Sequence, residues 1–167
     1  MLELDAETIY RHLAQRARET FVGETLKLVG VHTGGVWLAE RLKRDLKIAD
    51  PVGILDVSFY RDDFDQSGLK PAVRPSQIAF DVAGSHILLV DDVLNTGRTV
   101  RAAMNEIFDY GRPAKIDLAV LIDRGGRELP IAAGIVGATI ELPADVAVVL
   151  VRDDDAQLHL TMEKRGD

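Results

Sequence analysis

The chain has 167 residues, 47% of them hydrophobic and 28% charged, with a net charge of −7 and no cysteine. Such a chain suits one globular domain with a buried core, and it excludes disulfides, thiolate catalysis and cysteine-ligated metal centres. The acidic balance also confines any nucleic-acid role to a local basic patch. No apolar run reaches the roughly 20 residues that span a bilayer. The opening Met1-Leu-Glu-Leu-Asp-Ala-Glu-Thr8 has no basic start followed by an apolar stretch, so a cytoplasmic protein with no membrane association is expected.

From Asp5 to Phe21, Ile9, Leu13 and Ala17 recur at helical spacing among Arg11, Arg16, Arg18 and Glu19. This predicts an amphipathic helix capped by Asp5, with a basic outer face. Leu26 to Val31 reads as a strand. After His32-Thr33-Gly34-Gly35, a second helix carries Leu38, Ala39, Leu42 and Leu46 on one side. Val52 to Tyr60 predicts a further strand, and residues 61–77, with three aspartates, two prolines and little periodicity, predict a mobile loop. His86 to Val90 is an uninterrupted apolar run, as expected of a strand buried on both faces of a parallel sheet.

After a loop over Asp91 to Thr99, Val100, Ala103, Met104, Ile107 and Phe108 predict one face of a helix that ends near Gly111. Ile116 to Ile122 predicts another buried strand, followed by a turn over Asp123 to Glu128. Beyond Ile135, short strands at Val146–Val151 and Gln157–Met162 are joined by the acidic turn Arg152 to Asp155. The alternation predicts an α/β fold with a mostly parallel sheet flanked by helices. Ligands of such sheets bind at the carboxyl ends of strands. Three loops qualify: Val31 to Gly35, Asp91 to Thr99, and Asp123 to Glu128.

Ile87 to Thr99 is the most informative segment. A buried strand delivers two adjacent carboxylates, Asp91 and Asp92, followed by Asn95-Thr96-Gly97-Arg98-Thr99 at a helix start. Paired carboxylates suit a ribose diol and the hydration shell of Mg²⁺. Small residues at a helix N-terminus leave backbone N–H groups open to phosphate. A ribose 5-phosphate site fits both halves, although Asp, Thr and Gly are also ordinary turn residues. Neither a P-loop nor a dinucleotide-binding glycine fingerprint occurs. His12, His32, His86 and His159 have no metal-site spacing. Trp37 reads as a packing residue, and Asp153 to Asp155 as a solvated turn.

Val90-Asp-Asp-Val-Leu-Asn-Thr-Gly-Arg-Thr99 resembles the phosphoribosyl pyrophosphate (PRPP) motif of type I phosphoribosyltransferases. Tyr60-Arg-Asp-Asp63, Gly111-Arg-Pro113 and Leu121-Ile-Asp-Arg-Gly-Gly-Arg-Glu-Leu-Pro-Ile131 narrow the resemblance to the PyrR family, bifunctional pyrimidine operon regulators with uracil phosphoribosyltransferase activity. It runs from about Leu4 to the C-terminus. The resemblance implies a single type I phosphoribosyltransferase domain with a small C-terminal hood over about residues 125–167. The implied reaction is uracil plus PRPP giving UMP and pyrophosphate, with Mg²⁺, and the implied assembly is a homo-oligomer.

Carried onto this chain, the resemblance makes Asp91 and Asp92 the ribose-binding and indirect Mg²⁺-binding carboxylates. Val93, Leu94, Asn95, Thr96, Gly97, Arg98 and Thr99 form the 5-phosphate cradle. Thr33 and Gly34 fall at the pyrophosphate turn, where the family often has arginine in place of Gly34. Arg61 is a candidate catalytic residue and Arg74 a candidate pyrophosphate ligand, both at the mobile loop. Arg124 either lines the nucleotide pocket or pairs with Asp123, and Val148 lies under the hood near the base.

The family's second function, leader-RNA binding, would use Arg16, Arg18 and Arg127. This chain departs from the RNA-binding members at Gly126, Ala132 and Ala14, where they often have histidine, arginine and threonine. Catalysis therefore ranks above RNA attenuation. The alternatives are a nucleotide- or PRPP-responsive regulator, acting on RNA or through protein partners, and a purine phosphoribosyltransferase.

Overall fold

The structure, a computed structural model, describes residues 4–57 and 76–166. Helix α1 (Ala6–Thr20) starts at Asp5, whose carboxylate accepts from the backbone N–H groups of Glu7 and Thr8 at 3.1 and 3.3 Å. It is followed by β1 (Leu26–Val31), α2 (Gly34–Asp45), β2 (Gly53–Leu55), β3 (His86–Leu94), α3 (Arg98–Tyr110), β4 (Lys115–Asp123), β5 (Ile135–Thr139), β6 (Val146–Arg152) and β7 (Leu158–Lys164). Strands β1 to β5 form one parallel sheet in the order β2-β1-β3-β4-β5, while β6 and β7 pair as a separate antiparallel hairpin. Within the stretch expected to form the hood, β5 thus belongs to the central sheet. Only β6 and β7 stand apart.

The apolar runs are explained by burial on both sides. Leu28, Leu88, Val90, Ala119 and Leu121 pack beneath α1 and α2, while Val29, Ile87, Leu89, Leu118 and Val120 pack beneath α3. Successive strand residues point to opposite faces, so a strand covered by helices on both sides has no position at which a polar side chain meets water. No described helix is long and apolar enough to cross a membrane.

Three expectations need correction. Strand β3 continues through Asp91 and Asp92 to Leu94, because Asp91, Val93 and Leu94 keep their register with Val120, Ile122 and Asp123 of β4; the carboxylates sit on the strand rather than in the loop after it. The β2 strand covers only Gly53–Leu55 of the described part of its expected range. Phe108 is 55% exposed, since Val100, Ala103 and Ile107 already fill the inner face of α3. The predicted mobile loop lies outside the described residues, except for its end, where Gln77 exchanges backbone hydrogen bonds with Ile54.

One polar cluster locks the hairpin to the helices. Glu7 accepts both guanidinium arms of Arg41 at 3.0 and 2.9 Å and the backbone N–H of Leu158 at 2.8 Å. The Arg41 guanidinium lies 4.0 Å from the Tyr10 ring centroid, and the Tyr10 hydroxyl donates to Asp45 at 2.5 Å. Burial, followed by the bond to Asp45, pushes the Tyr10 hydroxyl pKa far up. The Arg41 hydrogen bonds hold the Glu7 carboxyl below its ordinary 4.5. A carboxylate with a lowered folded-state pKa contributes stability above its unfolded value and loses it as pH falls through the folded one. Glu7→Gln is expected to cost about 1–2 kcal/mol at pH 7 in urea unfolding. The gap from wild type should close as pH falls below 4.5; a gap independent of pH would show that packing, not charge, carries the effect.

Candidate functional site

Because β3 is buried from Ile87 to Asp91 and again at Leu94, and stays paired with β4 to its end, its last residues are fixed at the carboxyl edge of the sheet. Asp91 is 4% exposed, and its carboxylate accepts the N–H of Asp92 at 2.8 Å; that of Asp92 accepts the N–H of Val93 at 2.8 Å. Strand alternation sends Asp92 with Leu88 and Val90 toward α2, and Asp91 with Ile87 and Leu89 toward α3. After Asp92 the alternation shifts, since Val93 packs on the α1/α2 side and Leu94 on the α3 side.

The glycine turn meets this strand end directly. A Cβ on Gly30 would lie 2.8 Å from the Gly35 carbonyl, one on Gly35 3.1 Å from the Asp91 Cα, and one on Gly34 2.9 Å from the Asp92 Cβ and Cγ. The glycines therefore let the start of α2 close onto β1 and β3. An arginine at Gly34 would displace Asp92. Thr33 makes no side-chain cap for α2, its hydroxyl lying 2.8 Å from His32 Nδ1 across a cis peptide bond. The first turn of α2 thus begins beside Asp92 with no side-chain cap, its Val36 N–H donating to the Thr33 carbonyl at 3.2 Å.

A cavity of about 270 Å³ is lined by Asp91, Asp92, Val93, Asn95, Thr99, Arg124, Ala147, Val148, Val149 and Arg165. It brings together Asp91, Asp92, Val93, Asn95, Thr99, Arg124 and Val148 of the expected site, whereas Thr33 and Gly34 lie outside its walls. Leu94, Thr96, Gly97 and Arg98 are not among its walls: Leu94 is in the core, Gly97 abuts Ile131 in a left-handed turn at φ +94°, and Arg98 pairs outside with Glu128 at 3.0 Å. At the N-terminus of α3, the cap residue Gly97 has no side chain to offer, and the Arg98 N–H donates to the Thr96 hydroxyl at 3.2 Å. Arg61 and Arg74 lie outside the described residues. Ala147, Val149 and Arg165 were missed: the first two lack any chemical signature, and Arg165 is 34 residues beyond the last motif residue, Ile131.

The arginines of the β4 turn take roles that spacing alone left open. Arg124 is 7% exposed and donates to the carbonyls of Val146 and Pro143, tying the hood to the end of β4. Arg127, not Arg124, pairs with Asp123 at 2.6 Å; it also donates to the carbonyls of Asn95 and Ile131 at 2.8 Å each. Backbone N–H groups of Glu128 and Leu129 both reach the Thr96 carbonyl, and that of Arg124 reaches Leu94. The turn thus braces the 94–97 loop from behind. Gly126, at φ +79°, would place a Cβ 2.7 Å from Asn95 Oδ1, so the histidine of RNA-binding members does not fit this arrangement.

Arg127, expected as an RNA contact, donates through its Nε and both terminal nitrogens to acceptors within the chain, with its side chain 25% exposed. Arg16 and Arg18 are exposed on α1, Arg16 with one bond to the Val136 carbonyl. The histidines bond within the chain, His12 to the Gly137 carbonyl and His32 to the Thr33 hydroxyl. His86 sits between Asp117 and Glu24, and His159 bonds Asp153 at the acidic turn. Among the described residues, no group of three or more His, Asp or Glu side chains could hold a metal ion.

Arg127→Met would leave Asp123 and two carbonyls without their donor. It should lower stability by about 2–3 kcal/mol, less than for a wholly buried pair because both side chains are partly exposed. Arg127→Lys should recover part of the loss, and denaturant titration of the three proteins measures it; equal stability for all three would show that the brace is not formed in solution.

The model of the phosphoribosyl transferase domain matches residues 3–156. A bifunctional protein PyrR from Nitrosococcus oceani is 48% identical over 164 residues, covering 95% of this chain and 93% of the relative. One from Pseudomonas aeruginosa is 53% identical over 146 residues, covering 87% and 83%. Among solved structures, a hypoxanthine-guanine phosphoribosyltransferase from Bacillus anthracis superposes with a TM-score of 0.66 at 20% identity, covering 87% of this chain and 86% of that one; it shares the fold. The hypoxanthine phosphoribosyl transferase of Trypanosoma cruzi gives a TM-score of 0.65 at 27% identity, covering 87% and 80%. With a parallel sheet whose central strand ends in paired aspartates beside a phosphate-ready helix, and with relatives this similar along nearly its whole length, the chain belongs to the type I phosphoribosyltransferases and, within them, to the PyrR family.

Proposed function

We propose that the protein is a uracil phosphoribosyltransferase that joins uracil to the ribose 5-phosphate of PRPP, releasing pyrophosphate. The observation that carries this is the single cavity in which Asp91, Asp92, Asn95 and Thr99 face the hood residues Ala147 to Val149. Asp91 and Asp92 accept the ribose hydroxyls, while Asn95 to Thr99 and the first N–H groups of α3 receive the 5-phosphate. The turn at Thr33 and Gly34, against Asp92, takes the pyrophosphate. Val148 and its neighbours cover the base and exclude water. As the anomeric carbon loses its bond to pyrophosphate, positive charge grows on the ring, and the fixed carboxylates beside it stabilise that charge.

The two aspartates suit Mg²⁺, which keeps several waters and substrate oxygens in its shell and needs no all-protein cage. Mg²⁺ would be held through Asp91 and Asp92, directly or through water, and would neutralise charge on the departing pyrophosphate. Arg61 and Arg74 remain part of the proposal from the family resemblance, at the loop expected to close over the diphosphate.

The regulatory half of the family's function is a second reading. Here the turn that would offer Arg127 to RNA is closed onto Asn95 instead, leaving the exposed Arg11, Arg16 and Arg18 of α1 as the basic candidates. Filter binding with pyrimidine leader RNA, with and without UMP, is expected to show no specific retention. Specific, salt-sensitive retention abolished by substituting those α1 arginines would assign regulation to the helix.

For the enzyme, PRPP and Mg²⁺ are offered with uracil, hypoxanthine, guanine or orotate in turn. UMP should form from uracil, stop on chelation of the metal, and resume when Mg²⁺ is returned. Asp92→Asn should lower turnover by roughly 10²-fold or more. No UMP from the wild type, or full activity in the Asn variant, overturns the reading.

A further inference from the structure

The structure assigns a base-recognition role to Arg165: under the hood its guanidinium donates to a carbonyl oxygen of the pyrimidine and selects carbonyl-bearing over amino-bearing bases. This deepens the proposed function and rests on it. Arg165 follows the last residue of β7 and is anchored by its backbone, whose N–H donates to the Asp145 carbonyl at 2.7 Å. The register pairs Lys164 with Val146, so Arg165 stands beside the beginning of β6. Its side chain lines the same cavity as Asp91, Asp92 and Thr99, next to Ala147, Val148 and Val149.

Arg165 lines that cavity, and its Nε, itself buried, has no acceptor among the described residues. Burying a charged donor without an acceptor costs free energy, so natural sites place such groups where a ligand completes them. Its neighbour Arg124 lines the same cavity but already donates to the carbonyls of Val146 and Pro143, a structural use. The two hood-side arginines therefore differ in kind.

Position decides what Arg165 meets. In the proposed binding mode the 5-phosphate is held by Asn95, Thr99 and the start of α3, and the ribose by the aspartates. A ligand built outward from there brings its base under Ala147 to Val149, beside Arg165. Guanidinium has five donors and no acceptor. Uracil presents carbonyl oxygens at both C2 and C4, whereas cytosine presents an amino group at C4. A donor-only partner facing the C4 edge matches the first and leaves two donors opposed in the second. Sites built on such hydrogen bonds discriminate strongly, because the wrong ligand leaves a buried group unpaired.

The test compares wild type with Arg165→Ala, Arg165→Met and Arg165→Lys. Removal of the side chain leaves the backbone bond to Asp145 intact, and the Met variant preserves the apolar length should Ala disturb the fold. Calorimetric binding of UMP, CMP and ribose 5-phosphate is measured alongside steady-state rates with uracil. We expect Ala and Met to weaken UMP and raise the KM for uracil roughly tenfold, to narrow the preference for UMP over CMP, and to leave ribose 5-phosphate affinity and the KM for PRPP within twofold. Lys should restore part of the preference. An unchanged UMP-to-CMP ratio overturns the role, and so does a loss shared equally by ribose 5-phosphate, which would place Arg165 on the phosphate. Wild-type protein that makes no UMP would count against the proposed reaction, whereas normal wild-type turnover with unaffected variants would count against Arg165 alone.

Discussion

Everything at the ligand-binding edge depends on the burial of β3 from both sides. Leu88 and Val90 are sealed by α1 and α2, and Ile87 and Leu89 by α3, so the strand has no freedom to shift register without exposing a whole row of aliphatic side chains. That rigidity reaches Asp91 and Asp92 because the ladder with β4 extends past them. The carboxylates are thereby placed by the core, and each also accepts the next N–H along the chain. Electrostatic preorganisation of this kind costs nothing at the moment of reaction, since the folding of the sheet has already set the groups in place.

Around that strand end the loops hold each other. Glycines at positions 30, 34 and 35 remove side chains from the approach of α2, so that its buried first residues lie directly against Asp91 and Asp92. On the other side, the turn after β4 supports the 94–97 loop by three backbone bonds and by Arg127. Packing and ligand binding thus demand the same residues here, and composition alone cannot separate the two demands. Arg127 shows the consequence: a residue of the motif is bonded to Asp123 and to the Asn95 carbonyl, beside the residues that line the cavity.

The hood is a two-stranded hairpin, too small to be stable alone. It is fastened at three points: Arg124 to the carbonyls at the start of β6, Glu7 to the N–H of Leu158, and Arg152 over the Trp37 ring at 4.8 Å. Leu150 and Leu158 add apolar anchorage in the core beneath α1. Trp37 therefore packs against the hood as well as the core, joining the helix that begins at the glycine turn to the roof of the cavity.

Local pattern determined much of this protein. The Asp5 cap, the 26–31 strand, the buried runs of β3 and β4, and the Asp91-Asp92 pair before a helix are all short-range signals, written within a few residues of where they act. Tertiary structure decided the rest. The point where β3 ends depends on its ladder with β4; the inner face of α3, which excludes Phe108, depends on the sheet beneath it; and the separate uses of Arg124, Arg127 and Arg165 depend on carbonyls and cavities supplied by distant segments. An arginine carries the same charge wherever it stands, and only the folded chain determines whether its donors meet backbone, a carboxylate or the space reserved for a ligand.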